Sequence, residues 1–346
     1  MRMTIKDIAR LSGCGVATVS RVLNHHPDVS EKTRGRVLAV VEKYGFQPNN
    51  NAKHLKQQVG TSIAILVKGT QNMLFADLVE RVQAHLQERG RDGAVYYLDE
   101  EADEVSFAIR LCRERKPLGI LFLGGDLEYF RTSFRQLKIP CVLLTNSARD
   151  LGFENLSSLT MDDEGAAFQA IDDLIQKGHR EIGVLGGNWS SSQIGYRRLQ
   201  GCVRAFEERG IPFDIQRQAE PSRYAMADAY AAAGRLLKRC PRLTAIFAMS
   251  DVVAMGAIRA FTDSGKRVPQ DISVVGCDGI AMARYFIPRL TTICQDTRSL
   301  AEQGVEVLLG NIQGSCGPVH KVVPFHMLEG ESVARRNKNR ERGRSE

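Results

Sequence analysis

Between Thr4 and Asn24 the chain reads TIKDIARLSGCGVATVSRVLN, which places a hydroxyl, a guanidinium and an amide along one side of one short helix. At about 100° per residue, Val16, Ala17, Ser20, Arg21 and Asn24 fall within an arc of roughly 140°. Val19, Val22 and Leu23 lie on the opposite side and are expected to pack inward. Groups of these types on one helix face hydrogen-bond base edges and phosphates. The bland alternative is an amphipathic pair of helices with no nucleic-acid partner. The spacing favours a helix-turn-helix, which sets its second helix in the major groove of DNA.

Several elements must position that face. Thr4 is an expected cap for the first helix, with Asp7 reaching back as a weak capping box. Ile5, Ile8, Ala9 and Leu11 form the expected apolar side, and Gly13 and Gly15 bracket the turn. A third helix is expected after the N-cap Ser30, with Val37, Leu38, Val41 and Tyr44 as its stripe, stopped by Gly45 and Pro48. The segment PNNNAKHLK from Pro48 to Lys56 reads either as a polar linker or as a short hinge helix. Alone such a helix is marginal in water. Paired in a dimer, with each Leu55 wedged into the minor groove, it gains both partner and burial.

From about Gly60 onward, short apolar runs alternate with helical stretches. SIAILV, GAVYYL, LGILFL and PCVLL form one expected series of strands; EIGVLGG, TAIFAM, DISVVG and LTTIC form a second. Continuous apolar strands belong to parallel sheets covered on both faces, so two α/β lobes are expected. Ligands of such sheets bind beyond the carboxyl ends of the strands. Asp251 and Asp278 each follow an apolar strand, where a carboxylate can accept bonds from sugar hydroxyls. Asp251 reads equally as a helix N-cap. Arg198, at a helix start, can clamp a hydroxyl pair or a carboxylate.

Charge supports a divided molecule. The chain has 346 residues and a net charge of +7. Residues 1–58 carry ten Lys/Arg against four Asp/Glu, and residues 335–346 carry six against two. The remainder is therefore mildly acidic, and a basic head on an acidic core is the footprint of phosphate-backbone binding. The eight cysteines include no C-x-x-C pair, so no metal site is expected. No apolar leader precedes Thr4 and no run approaches bilayer length, which predicts a cytoplasmic protein with reduced thiols.

The runs GVATVSRVLN, VSEKTRGRVL and PNNNAKHLK, followed by GHREIGVLGG, TAIFAMSDVVAMGAIRAFTDSG, VPQDISVVGCDG and PRLTTICQD, resemble the lactose-repressor and galactose-repressor family over roughly residues 4 to 334. That resemblance implies an all-α helix-turn-helix head at 1–47, a hinge at 48–59, and a two-lobed α/β core at 60–334 with parallel sheets, like a type I periplasmic binding protein. It implies a first lobe of about 60–160 plus 294–324 and a second of about 161–293 plus 325–334. It further implies a homodimer on a pseudo-palindromic operator, controlled by a sugar or sugar-phosphate effector. By the same resemblance, Val16 and Ala17 meet thymine methyls or leave room for close approach, Arg21 makes the polar base contact, and Thr18 and Ser20 reach base or phosphate. Thr4, Asn24, Asn49 and Ala52 complete the expected DNA-binding set, and Leu55 makes the central kink. Asn72, Phe75, Arg198, Tyr224, Ser250, Asp251, Asp278 and Gln295 form the expected effector set.

The chain also departs from the family pattern. Asn72-Met73-Leu74-Phe75 stands where Asn-Pro-Phe-Phe is common, and Gly279 stands where a second polar residue often follows the strand-end aspartate. The tail RRNKNRERGRSE, residues 335–346, has no leucine heptad, so no tetramer-forming zipper is expected; it reads as a basic, solvated, disordered end, with added nonspecific DNA affinity as the lesser alternative. An enzyme is not expected: there is no H-E-x-x-H, no G-x-S-x-G, and no G-x-G-x-x-G after a strand. No cofactor is called for. A secreted sugar-binding protein would not need residues 1–58, and a DNA-bending architectural protein would not need a core with a cleft.

Overall fold

The computed structural model describes residues 5–23, 29–44, 62–314 and 317–336. The chain divides into two units, Met1–Val59 and Gly60–Glu346, which are taken in turn.

In the first unit, helices α1 (Ile5–Ser12), α2 (Val16–Leu23) and α3 (Glu31–Lys43) close around Ile8, Ala9, Val19, Val22, Val29 and Val37. Gly13, at φ +64°, makes the turn between α1 and α2. Ser30 caps α3, its Oγ accepting the Thr33 amide at 3.4 Å. Three apolar positions expected inside lie outside. Leu11 is 44% exposed because the inner face of α1 runs through Ile8, Ala9 and the buried Ser12. Leu38 lies about 100° round the helix from Val37, and Val40 and Val41 take the inward positions instead. Tyr44 is the C-cap, past the last turn, with the Lys43 ammonium 5.5 Å from its ring centroid.

The second unit begins with β1 (Ile63–Lys68), α4 (Met73–Glu88), β2 (Gly93–Leu98), α5 (Glu104–Arg115), β3 (Gly119–Leu123), α6 (Leu127–Ser133), β4 (Cys141–Leu144) and β5 (Leu156–Met161). It continues with α7 (Asp163–Gln176), β6 (Ile182–Leu185), α8 (Ile194–Glu208), α9 (Ile215–Gln218), β7 (Ala219–Glu220), α10 (Met226–Arg239), β8 (Ala245–Ala248), α11 (Asp251–Asp263), β9 (Ser273–Asp278) and β10 (Thr291–Gln295). It ends with α12 (Thr297–Ile312), β11 (His320–Val323) and β12 (Phe325–Leu328).

Among the described residues these strands form two six-stranded sheets, β11-β5-β4-β3-β1-β2 and β12-β10-β9-β8-β6-β7. All neighbours run parallel except β12, which pairs antiparallel with β10. The continuous apolar runs of β1, β3, β4, β6 and β8 are buried throughout, as a sheet covered by helices on both faces requires. The chain crosses between sheets three times, after β5, after β10 and between β11 and β12. Four strands carry no run of the expected kind. β5 interleaves Ser157, Ser158 and Thr160 with its apolar residues, β7 has two residues, and β11 and β12 are short edge strands with exposed positions.

The small head core makes single positions costly. Val37→Ala removes two buried methyl groups and should cost the first unit about 2 kcal/mol. Hydrogen exchange should then show lower protection in α1–α3, with amides of β1, β3 and β8 unchanged.

Candidate functional site

The parallel strands of both lobes end on a common cleft, and the residues just past those ends line a cavity of about 220 Å³. The first lobe contributes Lys68 from the end of β1, Asn72 and Phe75 from the start of α4, Glu100 after β2, and Thr145 after β4. The second contributes Arg198 on α8, Tyr224 before α10, Asp278 at the end of β9 and Gln295 at the end of β10. This is where an open parallel sheet offers unpaired loop groups and helix starts to a ligand.

Arg198 forms the floor. It is 4% exposed, and its Nε donates to Asp163 Oδ1 at 2.9 Å while Nη1 donates to the Met249 carbonyl. Its Nη2 lies 3.7 Å from Asp278 Oδ1, the atom that also accepts the Gln295 amide at 2.8 Å. Burial raises the Asp278 carboxyl to about 6, against the pull of the Arg198 guanidinium and the Gln295 hydrogen bond. Asp278 sits at φ +120°, and Thr145, another residue of the cavity wall, at φ +70°. Left-handed backbone at non-glycine residues costs about 1–3 kcal/mol, and it concentrates where a side chain is aimed at a ligand. Gly279 follows at φ +74°, and a Cβ there would meet Cys294 Sγ at 2.5 Å. The polar residue common in the family pattern has no room at this position.

Tyr224 closes the back of the cavity. Its hydroxyl is buried without a hydrogen-bond partner among the described residues, and burial pushes its phenol up. Such an orphaned donor is costly unless a ligand or water meets it. Gly187, at φ +76°, admits that hydroxyl, which would lie 3.2 Å from a Cβ there. Phe75 lies with its ring against Gly124, just past the end of the neighbouring strand β3. Asn72 caps α4, its Oδ1 accepting the Leu74 amide at 3.1 Å.

Two expected cleft residues are placed elsewhere. Ser250 is the N-cap of α11, accepting the Val253 amide at 3.2 Å. Asp251 is fully buried behind the wall, where Oδ2 accepts the Ile280 amide at 2.8 Å and Oδ1 accepts the Thr292 hydroxyl at 2.5 Å. It fixes the loop that carries Gly279 and does not line the cavity. Being one residue past the N-cap turns its carboxylate into the sheet. Of the expected effector set, the cavity therefore gathers Asn72, Phe75, Arg198, Tyr224, Asp278 and Gln295.

Sequence reasoning missed the residues that join the lobes. Arg223 Nη2 donates to Asp99 Oδ2 at 2.8 Å, and the Tyr224 amide donates to Glu100 Oε2 at 3.2 Å. Gln193 Nε2 donates to Asp126 Oδ2 at 2.6 Å, and the Leu127 amide to the Ser192 carbonyl at 3.3 Å. Beneath them, buried Lys68 donates to Glu104 Oε2 at 2.6 Å and lies 4.8 Å from the Tyr129 ring centroid. Glu104 Oε1 accepts the Asp126 amide at 2.6 Å, and burial holds its carboxyl above the ordinary range. Only the pairing of unlike charges across strand ends hints at these contacts, and no local spacing shows it.

In the head, Val16 and Arg21 are exposed on α2 and Thr18 is partly so, while Val19 and Val22 are buried. The arc read from the sequence thus has its apolar side inside. The side chains of Ile5, Ala17 and Ser20 lie outside the described residues, as do Thr4, Asn24, Asn49, Ala52 and Leu55. So does the tail beyond residue 336. Among the described residues no group of three or more His, Cys, Asp and Glu is placed to hold a metal ion. No helix among them is long and apolar enough to cross a membrane.

Comparison with known proteins agrees with both parts of the chain. Residues 4–49 match the family model for bacterial regulatory proteins of the lacI family, and residues 171–333 match a periplasmic binding protein-like domain. The HTH-type transcriptional regulator MalR of Clostridium butyricum is 36% identical over 339 residues, covering 95% of this chain and 99% of that protein. The solved complex of the transcriptional regulator CelR with cellobiose is 28% identical, with a TM-score of 0.69, over 96% of this chain and all of that one. The lac repressor dimer bound to operator and the anti-inducer ONPF shares the fold at 24% identity and a TM-score of 0.72, over 96% of this chain and all of that one. With a lacI-type head and a relative of this identity over nearly its whole length, the chain belongs to the lacI family of bacterial regulatory proteins.

Proposed function

We propose that the protein is a sequence-specific DNA-binding transcriptional regulator, a repressor of carbohydrate-utilisation genes, whose hold on its operator is set by an uncharged sugar in the cleft. One observation carries the reading: a basic helix-turn-helix head shares its chain with a cavity whose three lining cations are each already paired. Lys68 is held by Glu104, Arg198 by Asp163 and Asp278, and Arg223 by Asp99 and Glu100. A phosphate or carboxylate entering this cavity would have to displace a carboxylate already in place. Sugar hydroxyls instead find donors and acceptors together, in Asp278, Gln295, Asn72, Thr145 and the unpartnered Tyr224 hydroxyl. This reading favours a neutral sugar over a sugar phosphate.

In the head, Val16, Ala17, Thr18, Ser20 and Arg21 face the major groove of a pseudo-palindromic operator. Asn49, Ala52 and Leu55 serve the minor groove between half-sites. The homodimer forms through the core, where Tyr285 and Ile287 are 83% and 89% exposed and offer apolar surface to a second copy. Sugar and operator then affect each other's affinity by the same factor. The relatives are transcriptional regulators, and the cavity presents hydroxyl, amide and carboxylate groups suited to a sugar. A reaction is not part of the reading.

Three measurements test it. A neutral sugar at a hundredfold excess over its Kd should stabilise the protein by about 3 kcal/mol in thermal-shift measurements, where sugar phosphates give no shift. Arg198→Ala should abolish that shift, and a shift that survives would remove Arg198 from the site. Sugar affinity should also depend on Asp278. Its carboxylate accepts from the ligand when ionised, so affinity is full above about pH 6 and falls as pH drops through that value, while Asp278→Asn binds weakly at every pH. Calorimetry between pH 5 and 8 reads both. For the head, Arg21→Ala should cost specific operator binding about 1–3 kcal/mol and nonspecific binding much less in fluorescence anisotropy. Equal losses on both duplexes contradict base reading by Arg21.

A further inference from the structure

The cleft does not end at Tyr224. Past the Arg223–Asp99 bridge lies a second hollow of about 420 Å³. Lys68, Glu100, Gln193 and Arg223 wall both and form the partition between them. Two aromatic side chains face this hollow from opposite lobes: Tyr129 on α6 and Trp189 in the loop after β6. Each is half-buried. The indole N–H of Trp189 is given to the Gly186 carbonyl at 2.9 Å, which fixes the ring and satisfies its polar edge. Around the rings stand short polar groups, Asp126, Asn188 and Ser222. Its two cations, Lys68 and Arg223, are the paired ones already described.

We propose that this hollow is a second sugar subsite, so that the effector is a neutral di- or oligosaccharide. One ring sits over Arg198 and Asp278, and the next lies against Trp189 and Tyr129. The inference rests on the neutral-sugar reading above and adds chain length to it. A pyranose carries an apolar C–H face and a rim of hydroxyls, which matches aromatic rings set among amides, hydroxyls and carboxylates. The partition lets the glycosidic link through. Its Arg223–Asp99 pair is about half exposed on each side, so it is weakly held, and ligand hydroxyls can replace its hydrogen bonds. A monosaccharide would fill the inner cavity alone and leave the second hollow to water.

Calorimetry tests this on the full-length protein with glucose, galactose, maltose, cellobiose, lactose and maltotriose. At least one disaccharide should bind about tenfold or more tighter than its component monosaccharide. Trp189→Ala and Tyr129→Ala should each reduce that ratio to about threefold or less, with monosaccharide affinity held within about twofold as the check on folding. Trp189→Phe, which keeps a ring, should restore most of the preference. Trp189 is the only tryptophan of the chain, so its emission should also change on disaccharide binding. A monosaccharide that binds as tightly as its disaccharide overturns the subsite, as does a ratio that survives both alanine substitutions. If no sugar of any length binds, the effector reading itself fails, a distinct result.

Discussion

The buried guanidinium of Arg198 is the constraint around which the core is arranged. It lies on α8, yet its partners come from three other places: Asp163 at the first turn of α7, the Met249 carbonyl beyond β8, and Asp278 at the end of β9. Asp163 follows the crossover from the first sheet by two residues, so this one cation ties the point where the chain changes lobes to the floor of the cleft. Removing one partner of such a buried pair costs about 3–5 kcal/mol, because the other charge is left unmatched, whereas the intact pair adds little net stability. Its use is positional. It holds the Asp278 carboxylate at a fixed place and height, and the left-handed backbone at Asp278 is tolerated because the surrounding bonds leave the side chain no alternative.

The same logic explains why the cleft is polar but electrically closed. Each cation that reaches it arrives with its own acid, from the same lobe for Lys68 and Arg198 and from the opposite lobe for Arg223. The first two pairs are buried and therefore rigid; the third is half exposed and therefore exchangeable. A ligand meets a floor of buried pairs and a rim whose half-exposed hydrogen bonds it can replace.

Much of this was legible in the sequence, and the limits have physical causes. The eight apolar runs all became strands, and in all but the edge strand β2 burial on both faces leaves a continuous apolar pattern. β5 was hidden because Ser157, Ser158 and Thr160 are buried with their hydroxyls satisfied, so its composition is that of a loop. β11 and β12 were hidden because an edge strand of four residues needs little apolar surface. In the site, Arg198, Asp251 and Asp278 could be singled out from the order of strands and helices, whereas Asn72, Phe75, Tyr224 and Gln295 came only from the family resemblance. Asp251 shows where that method stops. The same position past a strand allows an N-cap, a ligand contact or a sheet tether, and only the location of Thr292 and the Ile280 amide selects the third. Contacts such as Arg223 with Asp99 join residues more than a hundred positions apart, and no local pattern encodes them.

The rim contacts also bear on how a small ligand can control a large molecule. Among the described residues the lobes meet through Arg223 with Asp99 and Glu100, Gln193 with Asp126, and the amides of Tyr224 and Leu127, and the Arg223–Asp99 bridge is the most exposed of these. Contacts of that kind contribute about 0–1 kcal/mol apiece, so closure of the cleft has only a small intrinsic preference. Moving a two-state balance from 1:99 to 99:1 takes about 5.5 kcal/mol of differential binding. On the proposed function, a sugar bonded by Asp278 and Gln295 on one lobe and by Asn72 and Thr145 on the other would gain those bonds together only in a closed cleft. A handful of hydrogen bonds at about 1 kcal/mol each reaches the required range. A stronger rim would hold the cleft shut without ligand and leave the sugar nothing to change. The weakness of the Arg223–Asp99 bridge is therefore what gives the buried Arg198 floor its leverage.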